Sequence, residues 1–201
     1  MTAEEFQKRL DVPRETMDRF IVYSDLLTKW QRSINLVSNS TLSDMWRRHF
    51  YDSAQLMEFI PEPESRTILD LGSGAGFPGL VLSILGIGEV HMVEAVGKKC
   101  SFMKQVIRET GINAIVHNER IENMKPFTVD IITSRACADL EKLLDLTAPF
   151  RGQYTQCLFL KGGRWEEELT LARKKYALEV KKYASKSEES GMILSLSNIM
   201  G

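Results

Sequence analysis

The chain has 201 residues, with 26 Lys and Arg against 27 Asp and Glu and a formal net charge of −1. That length suits one domain with a short extension, and 43% hydrophobic with 26% charged residues excludes wholesale disorder. A near-neutral balance excludes a protein that holds nucleic acid by bulk charge, so any such binding needs a local basic face.

Cys100, Cys137 and Cys157 are odd in number and widely spaced, which argues against a disulfide framework or a zinc site. They are expected to be core or near-core thiols. The first ten residues, MTAEEFQKRL, are polar and mixed in charge, and the longest apolar stretch, 79–87, is about half a membrane span. A soluble, cytoplasmic protein is expected.

After Pro13, the residues Met17, Phe20, Ile21, Leu27 and Trp30 recur at helical spacing and predict one apolar stripe. A second helix is predicted from Ser43, burying Met45, Trp46, Leu56, Met57 and Ile60. Two prolines, Pro61 and Pro63, then mark a boundary between a helical extension (1–63) and a second region (64–201).

From Thr67 the pattern changes to strands at 67–71, 89–94, 113–118, 128–134 and 157–161. Helices are predicted between them at 79–85, 97–110 and 139–147. Such alternation implies parallel strands with right-handed crossovers, a doubly wound α/β sheet. The last two runs, 178–184 and 192–199, are joined by only seven residues, 185–191, and so form an antiparallel hairpin. A mostly parallel seven-stranded sheet closed by such a hairpin is the Rossmann-like class I methyltransferase architecture.

The strongest local signal is Asp70-Leu71-Gly72-Ser73-Gly74-Ala75-Gly76-Phe77-Pro78-Gly79, an apolar strand that enters a glycine turn. Gly74 to Gly79 matches G-x-G-x-x-G, which by itself is weak evidence for a dinucleotide. Asp70 at the strand end disfavours a pyrophosphate and favours S-adenosylmethionine, whose sulfonium and ammonium groups are cationic. Glu94 ends the second strand, where a carboxylate can accept from both ribose hydroxyls of an adenosine. The loop Asn118-Glu119-Arg120-Ile121-Glu122 is expected over the adenine.

With those residues in place, the sequence resembles the ribosomal RNA small subunit methyltransferase G family. The resemblance rests on Gly72–Gly79, Arg120-Ile121-Glu122, Thr133-Ser134-Arg135-Ala136 and Lys161-Gly162. Upstream it includes Trp30, Ile34-Asn35-Leu36, Trp46-Arg47-Arg48-His49 and Asp52-Ser53. It implies methyl transfer from S-adenosylmethionine to N7 of a guanosine in 16S rRNA, on free RNA or the small ribosomal subunit. Cofactor contacts are implied at Gly72, Phe77, Ile121, Glu122 and Arg135, and geometry adds Gly74 and Glu94. Gln31, where many members have Asn, and the stretch 150–156, which lacks a glycine pair, depart from the family pattern.

N7 of guanine has a lone pair and no proton, so its methylation needs alignment and no general base. Arg135 is the candidate catalytic residue, positioning the base, the cofactor or both. Arg48, His49 and Lys161 are the candidate RNA contacts; runs such as Arg173-Lys174-Lys175 read as solvated faces, and Trp30 and Trp46 as core. No metal and no membrane partner is expected, and the chain is read as a monomer. The rival reading is a small-molecule methyltransferase, which would share every cofactor motif.

Overall fold

Thr67–Leu71 (β1) reads Thr-Ile-Leu-Asp-Leu, and from Ile68 onward it is buried, as a strand covered on both faces must be. Around it a computed structural model, which describes residues 1–135 and 137–201, assembles Glu89–Val93 (β2), Ala114–His117 (β3), Val129–Arg135 (β4), Arg151–Lys161 (β5), Ala177–Ala184 (β6) and Met192–Met200 (β7). The sheet order is β3-β2-β1-β4-β5-β7-β6. β1 to β5 pair in parallel, whereas β7 is antiparallel to both β5 and β6. The strand order reverses beside β1, so the ends of β1 and β4 open a crevice there.

One sheet face carries Gly79–Ile84 (α5), Gly97–Thr110 (α6) and the N-terminal region; the other carries Leu140–Thr147 (α7) and Trp165–Ala172 (α8). The N-terminal region begins with Ala3–Leu10 (α1), which the sequence reading passed over. A capping box, Thr2 with Glu5, starts it and was its available signal. Arg14–Gln31 (α2) follows. Its buried stripe is Met17, Phe20, Tyr23, Ser24 and Leu27, whereas Ile21 is 38% exposed and lies off it. Gln31 accepts from the backbone N–H groups of Leu36 and Val37 and donates to the Val37 carbonyl, so this departure from the family pattern fastens the turn after α2.

The expected helix from Ser43 is replaced by a broken path. Asn39–Leu42 (α3) ends at Ser43, a wide π-helical turn spans Trp46–Tyr51, and Asp52–Ala54 (α4) runs into a tight turn at Gln55–Phe59. A π-turn adds about one residue per turn, so apolar and polar positions leave strict helical spacing. It buries His49, Phe50 and Tyr51 in succession. Leu56 and Ile60 are core as expected, and Met45, Trp46 and Met57 are half-buried against it.

β5 starts at Arg151, six residues before the strand predicted there. A register shift lets Val129 pair with Arg151 and Ile131 with Gln156. The Thr155 hydroxyl stabilises it, donating to the Val129 carbonyl and accepting from the Gly152 N–H. This explains why 150–156 departs from the family pattern without disturbing 157–161.

Phe50 joins the extension to the sheet, with its ring against Phe6, Phe20, Tyr23, Trp46 and Phe77 at centroid distances of 4.7–6.3 Å. Phe50→Ala should therefore cost about 3–5 kcal/mol of folding free energy. Urea denaturation measures it; a loss below about 1 kcal/mol would show that this junction does not hold the extension.

Candidate functional site

The glycine turn is held from below by Asp70. Its carboxylate is fully buried, accepts from the Thr133 hydroxyl at 2.9 Å and from the Gly79 N–H at 3.2 Å, and so ties β1 to β4 and to the start of α5. Burial outweighs these hydrogen bonds and pushes its pKa up to about 6. The expectation that Asp70 faces the ligand is corrected: it shapes the turn from inside. The acidic groups that line the adjoining crevice are Glu94, Glu119 and Glu122.

That crevice, about 290 Å³, lies between Gly72 and the loop after β3, and Ile121 also lines it. Glu94, just past β2, is 8% exposed; its carboxylate accepts from the Gly74 N–H at 3.0 Å and the Val96 N–H at 2.8 Å. Each oxygen keeps a second lone pair, so Glu94 braces the turn and can still accept from a hydroxyl. Gly72 has φ +64°, and a Cβ there would strike the Cys137 thiol. This position needs glycine for both reasons. An adenosine-bearing cation fits such a crevice: Glu94, Glu119 and Glu122 outnumber Arg120 and Lys142 in its lining, the turn lies close, and an acceptor stands at the end of β2.

A second cavity, about 540 Å³, opens beside the first and shares Cys137 and Ala138 with it. Arg48, His49 and Asp52 line it from the extension, Arg135 from β4, and Glu188 from the β6–β7 loop. Arg135 donates to the Arg48 carbonyl at 3.1 Å and to His49 Nδ1 at 3.0 Å, and its guanidinium lies 4.9 Å from the Phe77 ring centroid. Because Arg135 can only donate, Nδ1 is the acceptor and Nε2 carries the proton shared with Thr41 Oγ1 at 2.8 Å. Burial first, then the Arg135 charge, pushes the His49 pKa down to about 3, so this imidazole is neutral at physiological pH.

The candidate residues thus divide. Gly72, Glu94, Ile121 and Glu122 line the smaller crevice, and Gly74 forms its turn. Phe77 does not line it. Its ring, 2% exposed, packs between the extension and Arg135, which itself faces the larger cavity. Arg48 lines that cavity and pairs with Glu188 at 3.1 Å. Lys161 lines it too, but its ammonium is 6% exposed, bonded to Glu168 at 2.5 Å and to the Ala138 carbonyl at 2.9 Å. Lys161 is thus held as an internal tie, and His49 stands as a neutral wall of the cavity.

Cys137, expected in or near the core, is exposed where the cavities meet; Cys100 and Cys157 are buried. Tyr23, whose hydroxyl donates to the Ala75 carbonyl at 2.6 Å, was missed as a site residue although it stands on the helical stripe. Among the described residues no cluster of metal-ligating side chains occurs, and no helix is long and apolar enough to cross a membrane.

A parallel sheet in this order, closed by an antiparallel hairpin, with a glycine turn after β1 and an acidic residue after β2, defines a class I methyltransferase. Solved structures with this fold include a SAM-dependent methyltransferase from Aquifex aeolicus, 16% identical, with TM-score 0.62 over 84% of this chain and 97% of that one. A mutant of MtNAS in complex with S-adenosylmethionine is 13% identical, with TM-score 0.61 over 98% of this chain and 84% of that one. The family model for rRNA small subunit methyltransferase G matches residues 16–193. Proteins named Ribosomal RNA small subunit methyltransferase G are 48% identical in Rhodospirillum rubrum, over 99% of this chain and 98% of that protein, and 42% identical in Paramagnetospirillum magneticum, over 99% and 97%. The chain belongs to the rRNA small subunit methyltransferase G family.

Asp70 gives the site a pH signature. Its folded pKa, about 6, lies above the ordinary value of 3.8, so its contribution to stability is fully present below pH 3.8 and is lost as pH rises through about 6. Against Asp70→Asn, the wild type should lose up to about 3 kcal/mol of relative stability between pH 4 and pH 7. Paired urea titrations measure the difference; a flat difference curve would contradict the buried carboxylate.

Proposed function

We propose that this enzyme transfers a methyl group from S-adenosylmethionine to N7 of a guanosine in 16S rRNA, with the donor in the smaller cavity and the acceptor base in the larger. The observation that carries this is the junction of the two cavities at Cys137 and Ala138. When bound, the donor supplies an electrophilic methyl group on a cationic sulfur. Gly72 and the Gly74 turn would hold it, Glu94 would accept from its ribose, and Ile121 with Glu122 would flank its adenine.

The chain's own chemistry is positioning. N7 has no proton to lose, so neutral His49 needs no role as a base and serves as wall and acceptor for Arg135. Arg135 is fixed by the Arg48 carbonyl, by His49 and by the face of Phe77, and it keeps further N–H groups to orient the base. Arg48, one-third exposed, and the exposed Arg164 are cations at the cavity that can reach a phosphate, Arg48 after leaving Glu188. Lys161 supports the Cys137–Asp139 segment through the Ala138 carbonyl.

The extension (1–63) forms one wall of the acceptor cavity and the methyltransferase domain (64–201) the rest. A cytoplasmic monomer acting on 16S rRNA or the small subunit fits this arrangement. The small-molecule alternative is disfavoured by Arg164, an exposed residue lining the larger cavity where a phosphate backbone could meet it.

Incubation with unmodified 16S rRNA or small subunits, followed by mapping, should place the methyl group on a guanine N7. A methyl on an exocyclic amine or a pyrimidine carbon would overturn this reading. Arg135→Ala should lower kcat about 100-fold or more with the donor still bound, since orientation is what it supplies. Single-turnover methylation and calorimetry together check this; near-normal turnover would remove Arg135 from the mechanism.

A further inference from the structure

Four carboxylates reach the larger cavity: Asp52, Asp139, Glu168 and Glu188. Three have other engagements or surroundings. Glu168 accepts from Lys161 and from the Leu140 N–H, Glu188 pairs with Arg48 with its side chain 41% exposed, and Asp139 is an exposed residue at the start of α7. Asp52 differs. Its side chain is only 15% exposed, and its two oxygens are treated unequally.

Oδ1 of Asp52 is fully engaged, accepting from Gln55 Nε2 at 3.0 Å and from the Ser187 hydroxyl. Gln55 is itself 2% exposed and locked, its carbonyl oxygen accepting from the Lys186 N–H at 2.9 Å. These partners fix the carboxylate plane. Among the described residues Oδ2 accepts no hydrogen bond; it faces Arg135 Nη1 at 3.6 Å, whose N–H groups are given to the Arg48 carbonyl and His49 Nδ1. A half-buried carboxylate oxygen, rigidly held at the wall of a cavity with room for a base, is an acceptor open to a neutral donor.

Among the four bases only guanine presents an imino N–H and an amino group side by side, on the edge away from N7. Adenine places a lone pair there. We propose that Asp52 reads the acceptor base as guanine, Oδ2 accepting from the N1–H and 2-amino donors while N7 is left free. The assignment rests on the guanine-N7 reading above. Asp52 is a specificity-determining residue in this account and takes no proton.

The test compares kcat/KM on RNA carrying guanosine, inosine or adenosine at the acceptor position, for the wild type, Asp52→Asn and Asp52→Ala. Inosine keeps N7 and N1–H and lacks only the 2-amino group. The wild type should prefer guanosine over inosine by about 10- to 100-fold and adenosine least of all. Both variants should lose activity on guanosine, and their guanosine-to-inosine ratio should fall to within about threefold of one. Donor calorimetry and thermal melting verify folding, and near-isosteric Asp52→Asn carries the test if Asp52→Ala does not fold.

A variant that keeps the wild-type ratio would reduce Asp52 to a structural partner of Arg135 and overturn the proposal. So would a wild type that uses inosine and guanosine equally. Mapping the product separates the two readings: a methyl found on the 2-amino group, with inosine inert, sinks the N7 assignment itself. An N7 product with an unchanged ratio sinks only the role of Asp52.

Discussion

The ring of Phe77 bears load from several directions. Tyr23 stacks on it at 5.2 Å, His49 at 5.2 Å, Phe50 meets it edge-on at 5.4 Å, and the Arg135 guanidinium sits 4.9 Å from its centroid. Each such contact contributes about 0.5–1.5 kcal/mol beyond area burial. Phe77 belongs to the glycine turn, whereas Tyr23, His49 and Phe50 belong to the extension. The turn that shapes the smaller crevice and the wall of the larger cavity are therefore one packed unit. Tyr23 adds a directional bond, its hydroxyl on the Ala75 carbonyl inside the turn. A fully buried phenol with its pKa held well above the ordinary value by burial stays protonated and keeps donating.

Electrostatics in this enzyme are local. A chain of net charge −1 gathers Asp70, Arg135 and Asp52 around one turn, and burial drives Asp70 and His49 toward neutrality. His49 loses its proton and Asp70 is only partly ionised near pH 6. Arg135 keeps its positive charge there, with Asp52 at 3.6 Å. The N7 transfer proposed above calls for this kind of site, rigid and with its imidazole held neutral.

Much of the fold was legible in the sequence, because short apolar runs alternating with helical stretches, and the glycine turn, report local constraints. The parallel strands, the closing hairpin and helix 97–110 all follow from that pattern. The stretch from Ser43 to Phe59 was not legible. Its π-turn depends on Phe50 and His49 both finding partners across the interface, and no local spacing encodes that. Site residues divide in the same way. Gly72 and Glu94 could be placed by strand ends, whereas the burial of Lys161 depends on Glu168 from a helix the sequence reading did not assign. Asp70 was recognised as important, but its direction was not, since a strand residue points inward or outward according to what stands opposite, here Thr133 and Gly79.

The extension sets the shape of the glycine turn through Tyr23, and Tyr23→Phe isolates that bond by deleting one oxygen. Calorimetric titration with S-adenosylmethionine should show affinity weakened roughly tenfold, since the Ala75 carbonyl is left buried without its donor. Unaltered affinity in a folded variant would mean that the turn holds its shape without the extension, and the account would fail.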